Sequence, residues 1–329
     1  MSNEVISTRV RLARNLKDYP FPCRLSEQGR KKVIEKVTSA IRGSNSSIAS
    51  DFNLIKLDDL TEAQGVSLVE RHLVSPEFIS ETEGRALLLS KDESMSIMIN
   101  EEDHIRLQVI TDGLSLEQAY DTADKLDTLL EENLEFAFDD KLGYLTQCPT
   151  NLGTGMRASV MLHLPALEKS RTIGRIAGNL SKLGLTIRGA YGEGSEPSGS
   201  LYQLSNQVTL GISEKAAIEN LENITKQLVS QERQARERLA KSIDIQDSVS
   251  RSLGLLKSAM VMTHDEALKL LSNVRFGILS GQIKDVTAEV VDSLMEKIEP
   301  ATLMVNSGKN LSAQERNIER AKILREALS

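Results

Sequence analysis

Tryptophan is missing from this 329-residue chain, aromatic residues make up only 3% of it, and there are two cysteines, Cys23 and Cys148. Two thiols cannot build the disulfide framework of a small secreted domain and suit a reducing compartment, so a cytoplasmic protein is expected. The four histidines, His72, His104, His163 and His264, are scattered, and no Cys/His spacing matches a metal site. No protein metal ligands are therefore expected. The first residues, Met-Ser-Asn-Glu-Val-Ile-Ser-Thr-Arg, contain no apolar signal region. No stretch comes near the ~18 uncharged apolar residues of a membrane span, and no membrane partner is expected. Also missing are a glycine-rich phosphate loop ending in Lys-Ser/Thr, a Gly-x-Gly-x-x-Gly after a strand, and a His-Arg-Asp catalytic loop. Asp51-Phe52-Asn53 departs from Asp-Phe-Gly at its third position. If a nucleotide is bound, side chains must neutralise its phosphates.

Hydrophobic residues make up 40% of the chain and charged residues 26%, which fits a soluble globular protein with room for two domains. The net charge is −7 and the pI is near 5.4. A general nucleic-acid binder is more often basic, so no direct nucleic-acid partner is expected. Arginines that bind an anion have to be gathered locally.

Residues 5–14, Val-Ile-Ser-Thr-Arg-Val-Arg-Leu-Ala-Arg, begin as a strand that puts Arg9 and Arg11 on one face. The plainer alternative is an edge strand with solvated arginines. Helical spacing runs from Ser26 to Ile41, and Thr61-Glu62-Ala63-Gln64 is a capping box opening a helix toward His72. Segments 85–90, 94–99 and 104–110 read as a small antiparallel meander. A second capping box, Ser115–Gln118, starts a helix to about Leu134. Residues 157–164 read as a strand, followed by a helix to Lys182 that stops at Gly184. Strands near 185–190 and 201–210 flank a Gly/Ser/Pro-rich loop at 192–200, placed as an active-site lid would be. Beyond about residue 212 the strand candidates stop, and capping boxes at Thr263–Glu266 and Ser312–Glu315 mark further helices. The expected organisation is α+β, with one domain over residues 1–240 and a smaller helical one over 241–329.

Three stretches carry unusual chemistry: Asn100-Glu101-Glu102-Asp103-His104-Ile105-Arg106, Cys148-Pro149-Thr150-Asn151-Leu152-Gly153-Thr154-Gly155-Met156-Arg157, and Arg188-Gly189-Ala190-Tyr191-Gly192-Glu193. A planar guanidinium suits the paired oxygens of phosphate and keeps its charge at any working pH. Arg9, Arg11, Arg106, Arg157 and Arg188, brought together, repel one another unless an anion lies among them. ATP, with Mg²⁺ bridging its phosphates, is the natural candidate. Glu102 and Glu193 pose the complementary problem. A substrate guanidinium, with a pKa above ~12, is a poor nucleophile until it is oriented and loses a proton. Two carboxylates can fix its plane, and one can take the proton; taken alone, a Glu-Glu-Asp run is equally a solvated turn. Cys148 is either a small buried residue or a thiolate, stabilised by nearby cations, that hydrogen-bonds the guanidinium.

These stretches, with Ser7-Thr8-Arg9-Val10-Arg11 before them, resemble the phosphagen (guanidino) kinase superfamily in content and order over roughly residues 5–212. Within it the chain most resembles the bacterial protein-arginine kinases. Further matching stretches are Arg71-His72-Leu73-Val74-Ser75-Pro76-Glu77, Gly143-Tyr144-Leu145-Thr146, Met161-Leu162-His163-Leu164-Pro165 and Tyr202-Gln203-Leu204-Ser205-Asn206-Gln207. The resemblance implies a glutamine-synthetase-like antiparallel sheet flanked by helices, followed by a smaller all-helical C-terminal domain. It implies Glu102 as the catalytic carboxylate and base, Glu193 as a second guanidinium-binding carboxylate, and Cys148 as the thiol beside the guanidinium. It implies ATP phosphates gripped by Arg9, Arg11, Arg106, Arg157 and Arg188. The nucleotide would also touch Ser7, Thr8, Val10, Ala158, Ser159, Val160, Met161, Gly189, Ala190, Tyr191, Gly192 and Glu193, with His72 at the adenine end.

Two departures bear on the substrate. Kinases of small guanidino metabolites carry a helical domain before the first arginine motif. Here six residues precede Ser7, so an open site suited to arginine within a protein chain is expected. Protein-arginine kinases carry Arg-Asp-x-x-Arg-Ala in the C-terminal domain, implying a phosphoarginine-sensing site. This chain reads Arg316-Asn317-Ile318-Glu319-Arg320-Ala321, and Asn for Asp removes a carboxylate that pairs with a guanidinium. A sensing site and an exposed charged helix face both stay open.

The function implied is ATP-dependent phosphorylation of protein arginines on the guanidinium nitrogen, marking them for a Clp-type unfoldase and protease in the stress response. Expected partners are substrate proteins presenting arginine, a stress-response repressor among them, a zinc-binding activator protein, and a second copy in a homodimer. The alternatives are a kinase of free arginine or another small guanidino compound, and a non-catalytic phosphoarginine-binding adaptor.

Overall fold

In the first strand, β1 (Val5–Arg14), buried and half-buried residues alternate from Thr8 to Leu12. Val10 and Leu12 enter the core while Arg9 and Arg11 share the opposite face. The computed structural model describes residues 3–44, 46, 48, 51–189 and 198–329. After β1 come α1 (Glu27–Arg42), β2 (Phe52–Lys56), α2 (Glu62–Glu70), α3 (Pro76–Ile79), β3 (Ala86–Ser90), β4 (Met95–Ile99), β5 (Ile105–Asp112) and α4 (Leu116–Glu131). A short hairpin, β6 (Phe138–Asp139) and β7 (Gly143–Tyr144), leads to β8 (Met156–His163), α5 (Pro165–Lys169), α6 (Ile173–Lys182), β9 (Leu185–Gly189) and β10 (Leu201–Asn206). The remainder is helical: α7 (Glu214–Leu239), α8 (Ile243–Ser258), α9 (His264–Leu279), α10 (Ala288–Lys297), α11 (Pro300–Ser307) and α12 (Ala313–Leu328).

The large sheet has eight strands in the order β2-β3-β4-β5-β1-β8-β10-β9. β1 is therefore an interior strand, not an edge. The meander expected over β3, β4 and β5 is present, and β2–β3, β3–β4, β4–β5 and β5–β1 all pair antiparallel. The β1–β5 register sets Arg9 opposite Ile110, Arg11 opposite Gln108, and Ala13 opposite Arg106.

The helix starts follow side-chain capping. Ser26 Oγ accepts the Gly29 N–H, and full capping boxes form at Thr61/Gln64 and Ser312/Glu315. Thr263 accepts the Glu266 N–H. Three sequence expectations need correction. Ser115 does not cap α4: its hydroxyl donates to Asp112 O at 3.0 Å, and its N–H donates to Thr8 Oγ1 at 3.1 Å. The helix expected between residue 164 and Lys182 is two helices, broken at Arg171, whose φ of +56° is left-handed. β10 ends at Asn206 rather than near 210. There the Asn206 side chain accepts the Ala158 N–H and donates to the carbonyls of Met156 and Val208.

Packing divides the chain into two compact units, and β1, β8, β10 and α7 each have residues in both. The first unit holds residues 7–159 and 205–222. Its core includes Leu57, Leu68, Phe78, Leu87, Leu89 and Met98; each such side chain, fully buried, contributes roughly 1.5–3 kcal/mol. The second unit holds residues 1–6, 160–204 and 223–329. Leu256, Met262, Leu271, Val274, Val291, Leu294 and Leu324 form its apolar centre. Here Glu4 is buried, yet hydrogen bonds from Arg233 and Arg236 overcome that burial and hold its pKa down at about 2. Among the described residues, no helix is long and apolar enough to cross a membrane.

Candidate active site

The first unit gathers four arginines. Arg9 and Arg11 project from one face of β1, Arg106 is the second residue of β5, and Arg157 is the second residue of β8. Burial brings Arg9 down to about 10, helped by repulsion from Arg106 and Arg157. Arg11 is pushed well below its usual value, first by burial and then by Arg9, Arg106 and Arg157, with Glu101 opposing. Arg9 Nε donates to Ser159 Oγ and Arg157 Nε to Asn206 O, both at a long 3.4 Å. Arg11 Nε is buried without a hydrogen-bond partner among the described residues. A buried orphan donor among mutually repelling cations is what a polyanion would satisfy.

Carboxylates face this cluster. Arg106 Nη2 donates to Glu102 Oε2 at 2.7 Å, and Nη1 bonds Glu101 at 2.9 Å. The two glutamates are not equivalent. Glu101 is buried and also accepts the Ser75 hydroxyl, which makes it a structural partner of Arg106. The Glu102 side chain is 34% exposed and lines a cavity of about 130 Å³ together with Arg11, Arg106, Arg157 and Cys148. Ala13 and Gly155 also line it. A Cβ on Gly155, whose φ is +62°, would lie 2.6 Å from Ala13 O, so the backbone approach that shapes this wall requires glycine. Cys148 is half-buried, with Sγ 3.0 Å from Thr150 Oγ1.

The supports of these groups are residues the sequence reading did not single out. Asp103 Oδ1 accepts Asn15 Nδ2 at 2.6 Å and the Gln147 N–H at 2.8 Å, next to Cys148. Asn15 Oδ1 accepts the His104 N–H at 2.9 Å. His104 Nδ1 accepts the Leu16 N–H at 3.0 Å, so the proton is assigned to Nε2, which donates to Pro20 O at 2.9 Å. Gln108, opposite Arg11, donates to the carbonyls of His72 and Leu73 and fixes that turn. His72 there has a left-handed φ of +59°. Burial, then the Arg9 charge, lowers its pKa to about 4 and keeps it neutral. Arg14 stacks over Tyr144 at 3.5 Å, pairs with Asp127 at 2.6 Å and donates to Thr154 O at 3.0 Å, tying β1 to the cavity loop.

The other expected site residues are placed as follows. Thr8 is buried, its hydroxyl donating to Gly113 O at 2.6 Å, while Val10, Ala158 and Val160 turn their side chains into the core. Ser7 is half-buried on β1. Met161 packs in the apolar cluster of the second unit. Arg188 and Gly189 lie on β9 in that unit. Ala190, Tyr191, Gly192 and Glu193 lie outside the described residues, as does most of the loop read as a lid. In the C-terminal stretch, Arg320 is buried and donates to Ile298 O, Met262 O and Asn317 Oδ1. Arg316 donates to Leu311 O at 2.8 Å, and Ala321 is buried in the core of the second unit.

Residues 32–235 match the ATP:guanido phosphotransferase C-terminal catalytic domain, and residues 242–329 match the protein-arginine kinase McsB C-terminal domain. The protein-arginine kinase of Halothermothrix orenii is 50% identical over 327 residues, covering 99% of this chain and 93% of that protein. The chain belongs to the protein-arginine kinase family. The family member from Clostridium acetobutylicum is 46% identical over 326 residues, covering 98% of this chain and 96% of that protein. Among solved structures, the duplicated taurocyamine kinase from Schistosoma mansoni with bound transition-state-analogue components superposes with a TM-score of 0.63 at 31% identity, over 70% of this chain and 33% of that one. Lombricine kinase superposes with a TM-score of 0.63 at 28% identity, over 74% of this chain and 70% of that one. The antiparallel sheet flanked by helices is thus the guanidino-kinase fold.

Proposed function

We propose that this protein transfers the γ-phosphate of ATP to the guanidinium of arginine side chains in proteins. The observation that carries the reading is the shared cavity: three arginines, one of them with an orphan donor, beside Glu102 and Cys148. In the step proposed, Arg9, Arg11, Arg106 and Arg157 neutralise the phosphates. Glu102 aligns the substrate guanidinium and takes its proton as the N–P bond forms and the bond from Pγ to the ADP oxygen breaks. ADP leaves with that electron pair. Cys148 adds a hydrogen-bond partner to the guanidinium. Mg²⁺ would come as part of the nucleotide substrate and would supply further charge neutralisation at the phosphates; the described residues present no group of three or more His, Cys, Asp or Glu arranged to hold it. Glu193 as a second carboxylate and Arg188 as a further phosphate ligand belong to the same proposal, as do the nucleotide contacts from β1, β8 and the His72 turn.

The family resemblance supports a wider reading. Phosphorylated proteins would pass to a Clp-type unfoldase and protease in a cytoplasmic stress response, with a stress-response repressor among the substrates. A zinc-binding activator and a second copy would be partners, and the Arg316–Ala321 stretch would be a site of phosphoarginine sensing. The test is transfer from labelled ATP to unfolded casein with free arginine present. Acid-labile, base-resistant label on casein alone supports the proposal. Label on free arginine alone favours a small-guanidino kinase, and no label on either removes the catalytic reading.

A further inference from the structure

In the first unit, the large hydrophobic side chains that are exposed among the described residues are Phe138, Leu142, Val208 and Leu210, at 56%, 43%, 46% and 49%. They come from two segments about 70 residues apart, which contacts to one loop tie together. Phe138 packs edge-on against Tyr144, ring centroids 5.1 Å apart, across the β6–β7 hairpin. Leu142 sits in the turn of that hairpin, its N–H held by Asp139 Oδ1 at 3.0 Å. The Tyr144 N–H donates to Gly153 O at 2.8 Å. On its other side Gly153 abuts Thr209 and Leu210: a Cβ built on it would stand 2.3 Å from Thr209 O and 2.8 Å from Leu210 Cα. Thr209 in turn donates to the carbonyls of Thr150 and Leu152.

Thr150, Asn151 and Gly155 of the same loop line the cavity that holds Glu102 and Cys148. Both apolar segments are thus bonded directly to the loop that walls the candidate active site. Isolated exposed apolar residues are ordinary, but here the exposed large hydrophobics of this unit all lie on the two segments bonded to the cavity loop, where a contact surface is expected. A free amino acid reaching the cavity has nothing to lay on such a surface. An arginine still attached to its chain brings its neighbours across it.

We propose that the surface of Phe138, Leu142, Val208 and Leu210 docks the polypeptide flanking the target arginine, and selects unfolded segments with apolar side chains near that arginine. The inference rests on the protein-arginine reading of the cavity and names the substrate class of that site. The hairpin and the 208–210 turn are held by backbone hydrogen bonds, so the surface is formed before substrate arrives, which limits the ordering cost of binding to the substrate.

The test uses the full chain and two separate variants, Phe138→Ser and Leu210→Ser, neither of which lines the cavity. Binding of a fluorescein-labelled, reduced and carboxymethylated protein is followed by anisotropy, and phosphate transfer is measured to that protein and to an arginine peptide flanked by Gly and Ser. Each variant is expected to weaken binding and raise KM for the unfolded protein about five- to tenfold, the effect of uncovering part of one large apolar side chain. The kcat, the KM for ATP and the KM for the Gly/Ser peptide should stay as in wild type. Unchanged binding in both variants, or an equal rise in KM for protein and peptide, overturns the proposal. A fall in sedimenting mass in both variants also overturns it, because the surface then joins two copies of the chain. Wild type that binds the unfolded protein through this surface but phosphorylates neither substrate retains the docking surface and removes the kinase reading.

Discussion

The carboxylate of Asp103 accepts both the backbone N–H of Gln147 at 2.8 Å and the side-chain amide of Asn15 at 2.6 Å, through the same oxygen. One atom therefore joins the segment carrying Glu102 to the loop carrying Cys148. Burial raises the Asp103 pKa, against the lowering effect of these two bonds. Removing the carboxylate leaves the Gln147 N–H without that partner and frees the Cys148 loop to shift.

Asp103→Ala is expected to lower kcat about 10- to 100-fold through misplacement of reacting groups, while KM for ATP stays within about twofold, since no phosphate-binding arginine bonds Asp103. Asp103→Asn keeps an acceptor oxygen and should recover most of the rate. Steady-state kinetics of both variants check this. A rise in KM for ATP with kcat intact would show that Asp103 serves the nucleotide instead.

Glu102→Ala should reduce transfer by about 10²–10⁴, the usual contribution of a positioned general base, and leave ATP binding nearly unchanged because Glu101 still pairs with Arg106. Calorimetric titration with ATP, run beside the transfer assay, separates the two. Loss of both together would sink the assignment of Glu102 as base.

Arg11 is a half-buried cation with a buried, unpartnered Nε and three like charges around it. Arg11→Met should therefore match or exceed the wild-type melting temperature without nucleotide, since replacing a poorly compensated buried charge by an apolar side chain is often neutral or stabilising. It should also lose at least about tenfold in ATP affinity. Thermal shift with and without ATP reads both. A destabilised variant with normal ATP affinity would place Arg11 in the scaffold alone.

Much of this arrangement was legible in the sequence because it is local. Two-residue spacing sets Arg9 and Arg11 on one face of β1, and Glu102 and Arg106 stand in one short stretch, although their ion pair emerges only in the structure. The supports were not legible, because each joins residues far apart in the chain: Asn15 to Asp103, Arg14 to Asp127, Gln108 to the His72 turn. A polar residue in a strand looks the same in sequence whether it meets water or a carbonyl 35 residues away. Local rules failed for the same reason at Ser115, whose N–H and hydroxyl are taken by Thr8 and Asp112 rather than by the first turn of α4.

His104 supplies a pH signature. Burial lowers its pKa from the usual 6.5 to about 4, although the bond to Pro20 O pulls the other way. The unfolded chain therefore binds a proton that the folded one refuses between pH 6.5 and 4. The folded state loses stability as pH falls through that window, by about 2–3 kcal/mol from this group at pH 4. His104→Gln should show a shallower loss of stability between those pH values in chemical denaturation. Identical slopes for variant and wild type would contradict the neutral, buried imidazole.

Phosphate placed on an arginine nitrogen within a protein has a direct signature in ³¹P NMR of the reaction with ATP and an unfolded substrate protein carrying ¹⁵N-labelled arginine. The expected result is a phosphoramidate resonance split by coupling to ¹⁵N, lost on acidification, and missing with the Glu102→Ala enzyme. A phosphoester resonance without that splitting, or free phosphate alone, would contradict it.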